Sequence, residues 1–119
     1  MTNVIDLDIL RPDKQIIKIG GKEIDVSFVP CGITFDLDAI VQQLTKLDTK
    51  RIKIDPKEMR RAFDLGVELC AVFCSHKYPE MDSNWFKDNA SGEQIKVFTE
   101  SIQKALMDSY AGVQAHTKN

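Results

Sequence analysis

Apolar and polar positions change their period twice along this chain. Residues 4–10 alternate, with Ile5, Leu7 and Ile9 on one side and Asp6 and Asp8 on the other, the period-two pattern of a strand or an extended arm that Pro12 ends. Residues 15–28 read QIIKIGGKEIDVSF, two alternating runs hinged on Gly20-Gly21. A Gly-Gly pair supplies the positive φ angles that a two-residue hairpin turn requires. With the turn placed there, strands run over 16–19 and 22–29, Lys18 faces Glu23, Ile17 faces Ile24, and Pro30 closes the second strand.

From there on the period becomes helical. After Cys31-Gly32-Ile33, Thr34 is placed as an N-cap, and Leu37, Ile40, Val41, Leu44 and Leu47 recur at three- and four-residue spacing. Residues 48–54 read DTKRIKI, a polar and basic loop. Asp55-Pro56-Lys57-Glu58 starts the next helix, with Asp at the N-cap, Pro at the first position and Glu at the third. That helix keeps Met59, Ala62 and Phe63 to one face, but over 65–73 (LGVELCAVF) it is apolar nearly all round, which makes it the central pillar of the domain. Tyr78-Pro79-Glu80 breaks it, and residues 81–89 form a short helix or turn carrying Trp85 and Phe86. Ser91-Gly92-Glu93-Gln94 is a second capping box, and Ile95, Phe98, Ile102, Ala105, Leu106 and Tyr110 line one stripe of the last helix before a stop at Gly112.

The fold class expected from this order is α+β: an N-terminal β-hairpin, with a third strand if residues 4–10 pair, followed by a three- to four-helix bundle. One domain spans 1–119, with the β arm and hairpin over 1–30, the helical part over 34–112 and a frayed tail over 113–119. A chain of 119 residues buries roughly two-thirds of its unfolded surface without help from disulfides or metals.

Composition narrows the function classes. The net charge of −2 and pI near 5.6 give the molecule no general attraction to nucleic acid or anionic lipid. No stretch reaches the roughly 20 apolar residues of a membrane span, and the first residues lack the basic start of a signal peptide, so the expectation is a cytosolic protein that binds neither nucleic acid nor membrane. Cys31, Cys70 and Cys74 are an odd count and read as reduced thiols, two of them inside an apolar helix.

Each constellation with chemistry has an ordinary explanation. Cys70, Cys74 and His76 cluster one turn apart, but Cys31 would have to fold back to complete a zinc set, and their neighbours are apolar. We expect core thiols and no metal. No base stands beside a Cys or Ser, since His76 ends a helix and His116 lies in the tail. Asp36 and Asp38 fall in the opening turn of a helix, where carboxylates favour the positive dipole end, and Asp64 and Glu68 occupy a polar stripe. Neither pair reads as catalytic, and no cofactor is expected. Gly20-Gly21 is a turn and not a phosphate loop, because a strand follows.

Two surfaces remain as binding candidates. Lys50, Arg51, Lys53, Lys57, Arg60 and Arg61 form a basic patch, read as a solvated face or as a dock for an acidic protein; no aromatics interleave it as nucleic acid would require. Trp85 and Phe86 are about 100° apart on a helix, so either one is exposed as a binding anchor or both wrap into the core from a loop. The stripe with Ile102, Leu106 and Tyr110 reads as core, partner seam or both. On exposure arguments the partner-binding set is Trp85, Phe86, Ile102, Leu106 and Tyr110.

The strand ending in Ile24-Asp25-Val26-Ser27-Phe28-Val29-Pro30, and Trp85-Phe86-Lys87-Asp88-Asn89 followed by Ser91-Gly92-Glu93-Gln94, complete a layout of extended arm, hairpin and helices. In that layout and those segments the chain resembles the small tail assembly chaperones of long-tailed phages and prophages of Gram-positive bacteria. The resemblance implies a non-enzymatic protein of the bacterial host cytoplasm. Such chaperones bind the long, mostly helical tape-measure protein and keep it soluble until tail-tube subunits polymerise around it. The family carries no fixed site pattern to transfer. Two other readings stand beside it: a small cytosolic adaptor docking an acidic protein through the basic patch, and a tail structural or completion subunit, which would self-assemble into rings. Homo-oligomerisation stays open.

Overall fold

The computed structural model describes residues 3–47 and 55–117, with side chains through residue 110. Its order is a two-stranded antiparallel hairpin, β1 (Ile16–Ile19) and β2 (Lys22–Asp25), then four helices, α1 (Cys31–Lys46), α2 (Pro56–Ser75), α3 (Ser83–Asn89) and α4 (Gly92–Thr117). The architecture is α+β, a hairpin ahead of a helical bundle.

The hairpin has the expected register, with Lys18 opposite Glu23 and Ile17 opposite Ile24. Gly20 at φ 56° and Gly21 at φ 77° both take the left-handed conformation that the turn needs. Ile19, Ile24 and Val26 are buried, so one face of the ribbon packs on the helices and the other meets water. β2 ends four residues before the expected limit. The Asp25 carboxylate accepts from the Ser27 N–H (2.9 Å) and hydroxyl (2.6 Å), which turns the chain out of the ladder. Partial burial opposes ionisation of that carboxyl, but its hydrogen bonds from Ser27 and Gln15 outweigh this and hold it below the usual range.

Residues 4–10 do not form a third strand. The Asp6 carboxylate accepts from the Asp8 N–H at 3.0 Å and rolls Leu7–Leu10 into a single 3-10 turn. Alternation makes a strand only where a partner supplies the ladder, and Asp competes locally for backbone donors.

α1 starts three residues before Thr34. Pro30 stands at its N-cap position, with no side-chain capping bond, and the Thr34 hydroxyl donates back to the Pro30 carbonyl at 3.2 Å. Asp36 and Asp38 consequently lie beyond the first turn, out of the strong part of the helix dipole, and Asp38 accepts from Gln42 at 2.8 Å. α2 begins where its signal placed it, with the Asp55 carboxylate accepting from the Lys57 N–H (2.9 Å) and Pro56 leading the helix. Leu65, Gly66, Val67, Leu69, Cys70, Ala71, Phe73 and Cys74 are all buried, because α1, α3 and α4 pack around this stretch. It is the pillar. The α4 capping box is closed in both directions: the Gln94 N–H donates to Ser91 Oγ (3.2 Å) and the Ser91 N–H to Gln94 Oε1 (2.8 Å). α4 does not stop at Gly112 but runs to Thr117; a helix interior accepts Gly at about 1 kcal/mol.

The core centres on Phe86 and Phe98, edge to face at 6.0 Å, with Phe73 on the other side of Phe98 at 6.3 Å. Among the described residues no helix is long and apolar enough to cross a membrane.

Candidate binding groove

Gly66 sets the geometry of an apolar opening between α1, α2 and α4. A Cβ built there would lie 3.2 Å from Thr99 Oγ1 and 3.3 Å from Ile95 Cγ2, so α2 and α4 approach at this glycine more closely than a side chain would let them. The Thr99 hydroxyl donates to the Gly66 carbonyl at 3.5 Å and lies 3.8 Å from the Cys70 sulfur. One turn before Gly66 on the same face comes Phe63, and one turn before that Met59. Both remain open to solvent, at 39% and 56% of their surface.

The last turn of α1 forms the opposite wall. A groove of about 740 Å³ results, floored by Leu44, Leu47, Phe63, Gly66 and Ile95 and rimmed by Lys46, Lys96, Glu100 and Gln103. Its floor is mostly apolar, with the Thr99 hydroxyl at Gly66, its rim is polar, and its lining contains no histidine or cysteine. Such a surface accepts apolar side chains presented at helical spacing, with the rim fixing orientation.

The expected binding residues are placed differently. Phe86, Ile102 and Leu106 are fully or almost fully buried and belong to the core, because α3 and α4 turn these faces toward α2. Trp85 is half-buried, its ring against Phe86 at 5.0 Å and against the hairpin turn at Gly20. Tyr110 is 40% exposed near the far end of α4. From this set only the outer surfaces of Trp85 and Tyr110 are accessible. Trp85 forms part of a latch that fixes the hairpin: the Lys22 ammonium bonds Glu80 at 2.7 Å and sits 5.0 Å over the Tyr78 ring, whose hydroxyl donates to the Glu23 carbonyl at 3.4 Å. The hydrogen bond from Lys22 lowers the Glu80 pKa.

Of the basic patch, Lys50, Arg51 and Lys53 lie outside the described residues. Lys57, Arg60 and Arg61 are exposed on the first turns of α2, and Arg61 donates to Gln43 of α1 at 2.8 Å. The cysteines separate. Cys70 and Cys74 are buried, and burial pushes the Cys70 thiol up to about 12 and the Cys74 thiol higher still. Cys31 is exposed at the start of α1, and His76 is exposed at the end of α2. Among the described residues no three ligating side chains gather.

Of the groove's lining, α2 supplies Ala62, Phe63 and Gly66, while Met59 lies one turn before Phe63 and outside the lining. The spacing places Met59, Ala62 and Phe63 on one face, and only the closing geometry of α1 and α4 shows that Phe63 stays open there. No family model, curated protein or solved structure matches this chain.

Proposed function

We propose that this chain is a non-enzymatic phage tail assembly chaperone of the bacterial host cytoplasm, and that it holds the helical tape-measure protein soluble by covering its apolar stripes. The observation that carries the reading is the groove between α1, α2 and α4, apolar along its floor and polar at its rim. A tape-measure helix presents apolar positions at i, i+3 or i+4, and i+7 that aggregate when left uncovered. Phe63, Leu44 and Leu47 meet such a stripe as one helix meets another, and Lys46, Lys96 and Glu100 set its direction. Each groove buries a small area, so each contact is weak. Many copies along one long client gain from proximity on a common chain while each remains easy to displace when tube subunits arrive.

The test is calorimetric titration with an amphipathic helical peptide taken from the candidate tape-measure protein. Apolar burial predicts a negative heat-capacity change on binding, and Phe63→Asp, on an exposed face, should remove binding without loss of helicity. Absence of binding, or equal binding by Phe63→Asp, contradicts the groove as the client site.

A further inference from the structure

Among the described residues, exposed large aliphatic side chains concentrate not in the groove but on the arm that precedes the hairpin. Val4 and Ile5 are each 83% exposed, Ile9 77%, Leu7 68% and Leu10 53%. Five aliphatic side chains within seven residues are each more than half exposed. The arm is nevertheless held at its base. The Arg11 guanidinium stacks 4.1 Å over the Phe28 ring, and the Val26 N–H donates to the Gln15 carbonyl at 2.9 Å. Its apolar part therefore starts from a fixed point and borders a second opening, a cleft of about 1010 Å³ between the arm, the segment leaving β2, and α4. Val26, Phe28, Val29 and Ala105 supply the apolar wall of that cleft. Leu7 and Leu10 border it yet stay more than half exposed, so the chain's own arm does not fill it.

We propose that the arm is an exchange element through which two copies of this chain associate with two-fold symmetry, each laying residues 4–10 into the cleft of the other. Area selects the occupant. The three side chains that turn inward, Ile5, Leu7 and Ile9, offer on the order of 100 Å² each, so two arms and the cleft walls they cover come to about 1,200 Å², the lower end for a stable pair. Charge does not select it, since the cleft mixes both signs, Arg11 and Lys104 beside Asp8, Asp13 and Asp108. Topology does: arm and cleft adjoin on one chain, so a two-fold axis beside them satisfies both arms at once and leaves none over, which closes the assembly at two. An extended arm also recovers the alternation of its sequence, turning Ile5, Leu7 and Ile9 into the cleft and Asp6 and Asp8 toward water. The cleft and the client groove share no residue, so the pairing stands or falls separately from the proposed function.

Sedimentation equilibrium of the full chain across a concentration series is the test, beside the double variant Ile5→Asp/Ile9→Asp. The expected result is a dimer whose dissociation constant rises roughly a hundredfold or more in the variant, with circular dichroism unchanged because both positions are exposed. A second measurement fixes the partner surface. In a Cys31→Ser background, Ile9→Cys with Lys104→Cys should give a disulfide between copies on oxidation, seen as a covalent dimer. A monomer at every concentration, a dimer that the arm variant leaves intact, a larger ring, or a disulfide formed only within one copy each overturns the exchange.

Discussion

Gly20 and Gly21 share a left-handed backbone but not their surroundings, and the pair separates two costs that usually arrive together. A Cβ at Gly21 meets nothing within 4 Å, whereas one at Gly20 would sit 2.6 Å from the Trp85 ring. Gly21→Ala should therefore cost about 1 kcal/mol, the backbone penalty alone, and Gly20→Ala at least about 2, because the indole must also move off the turn. Urea unfolding followed by Trp85 fluorescence reads both, and equal losses would mean that the ring does not press on the turn. The cysteines make a second contrast at this scale. In the native protein a thiol reagent should modify Cys31 and spare Cys70 and Cys74, all three reacting in denaturant. A neutral buried thiol stabilises the fold only while the unfolded chain also stays protonated. Cys70 rises from about 9 to about 12 on folding, so its contribution is fully present below pH 9 and fades as pH climbs from there toward 12. Stability measured across that window should fall, and Cys70→Ala should flatten the fall. An unchanged slope would assign the alkaline loss to other groups.

Helix starts carry their chemistry in three or four adjacent residues, and this decides which elements could be read from the chain. Asp55 with Pro56, and Ser91 with Gln94, satisfy their own helix ends by local hydrogen bonds, so both helices begin where those residues stand. Asp55→Ala should cost about 1 kcal/mol of stability in thermal unfolding, while Thr34→Ala, which alters a back-bonded hydroxyl and not a cap, should cost less than half of that. A larger loss at Thr34 would restore it as the start of α1. The Gly-Gly turn was equally legible, because two successive positive φ angles admit few other residues. What needed a partner was not legible. Residues 4–10 alternate as a strand does, but alternation cannot create a neighbouring strand, and Asp6 takes the nearest N–H instead. The same limit governs the site. A stripe such as Ile102, Leu106 and Tyr110 looks alike whether it faces a core or a client, and here its first two members are covered by α2. Phe63 stays open for the converse reason: nothing in residues 59–66 reveals that α1 and α4 leave a gap above them.

At the scale of the whole molecule, the described residues leave one apolar opening between helices and another beside the arm. On the proposed readings the first would take a helical client and the second a copy of the chain, which would yield a paired chaperone presenting two grooves. Bivalence of this kind strengthens attachment to a long repeating client without tightening any single contact. The measurement that bears most directly on this account is co-expression with a helical segment of the candidate tape-measure protein, followed by size-exclusion chromatography with light scattering. The account predicts that the segment becomes soluble only beside this protein, that the two co-elute as a multi-copy complex, and that Phe63→Asp abolishes the rescue while folding normally. A segment that stays insoluble while this protein elutes without it, or one rescued as well by Phe63→Asp as by the unaltered chain, would contradict it.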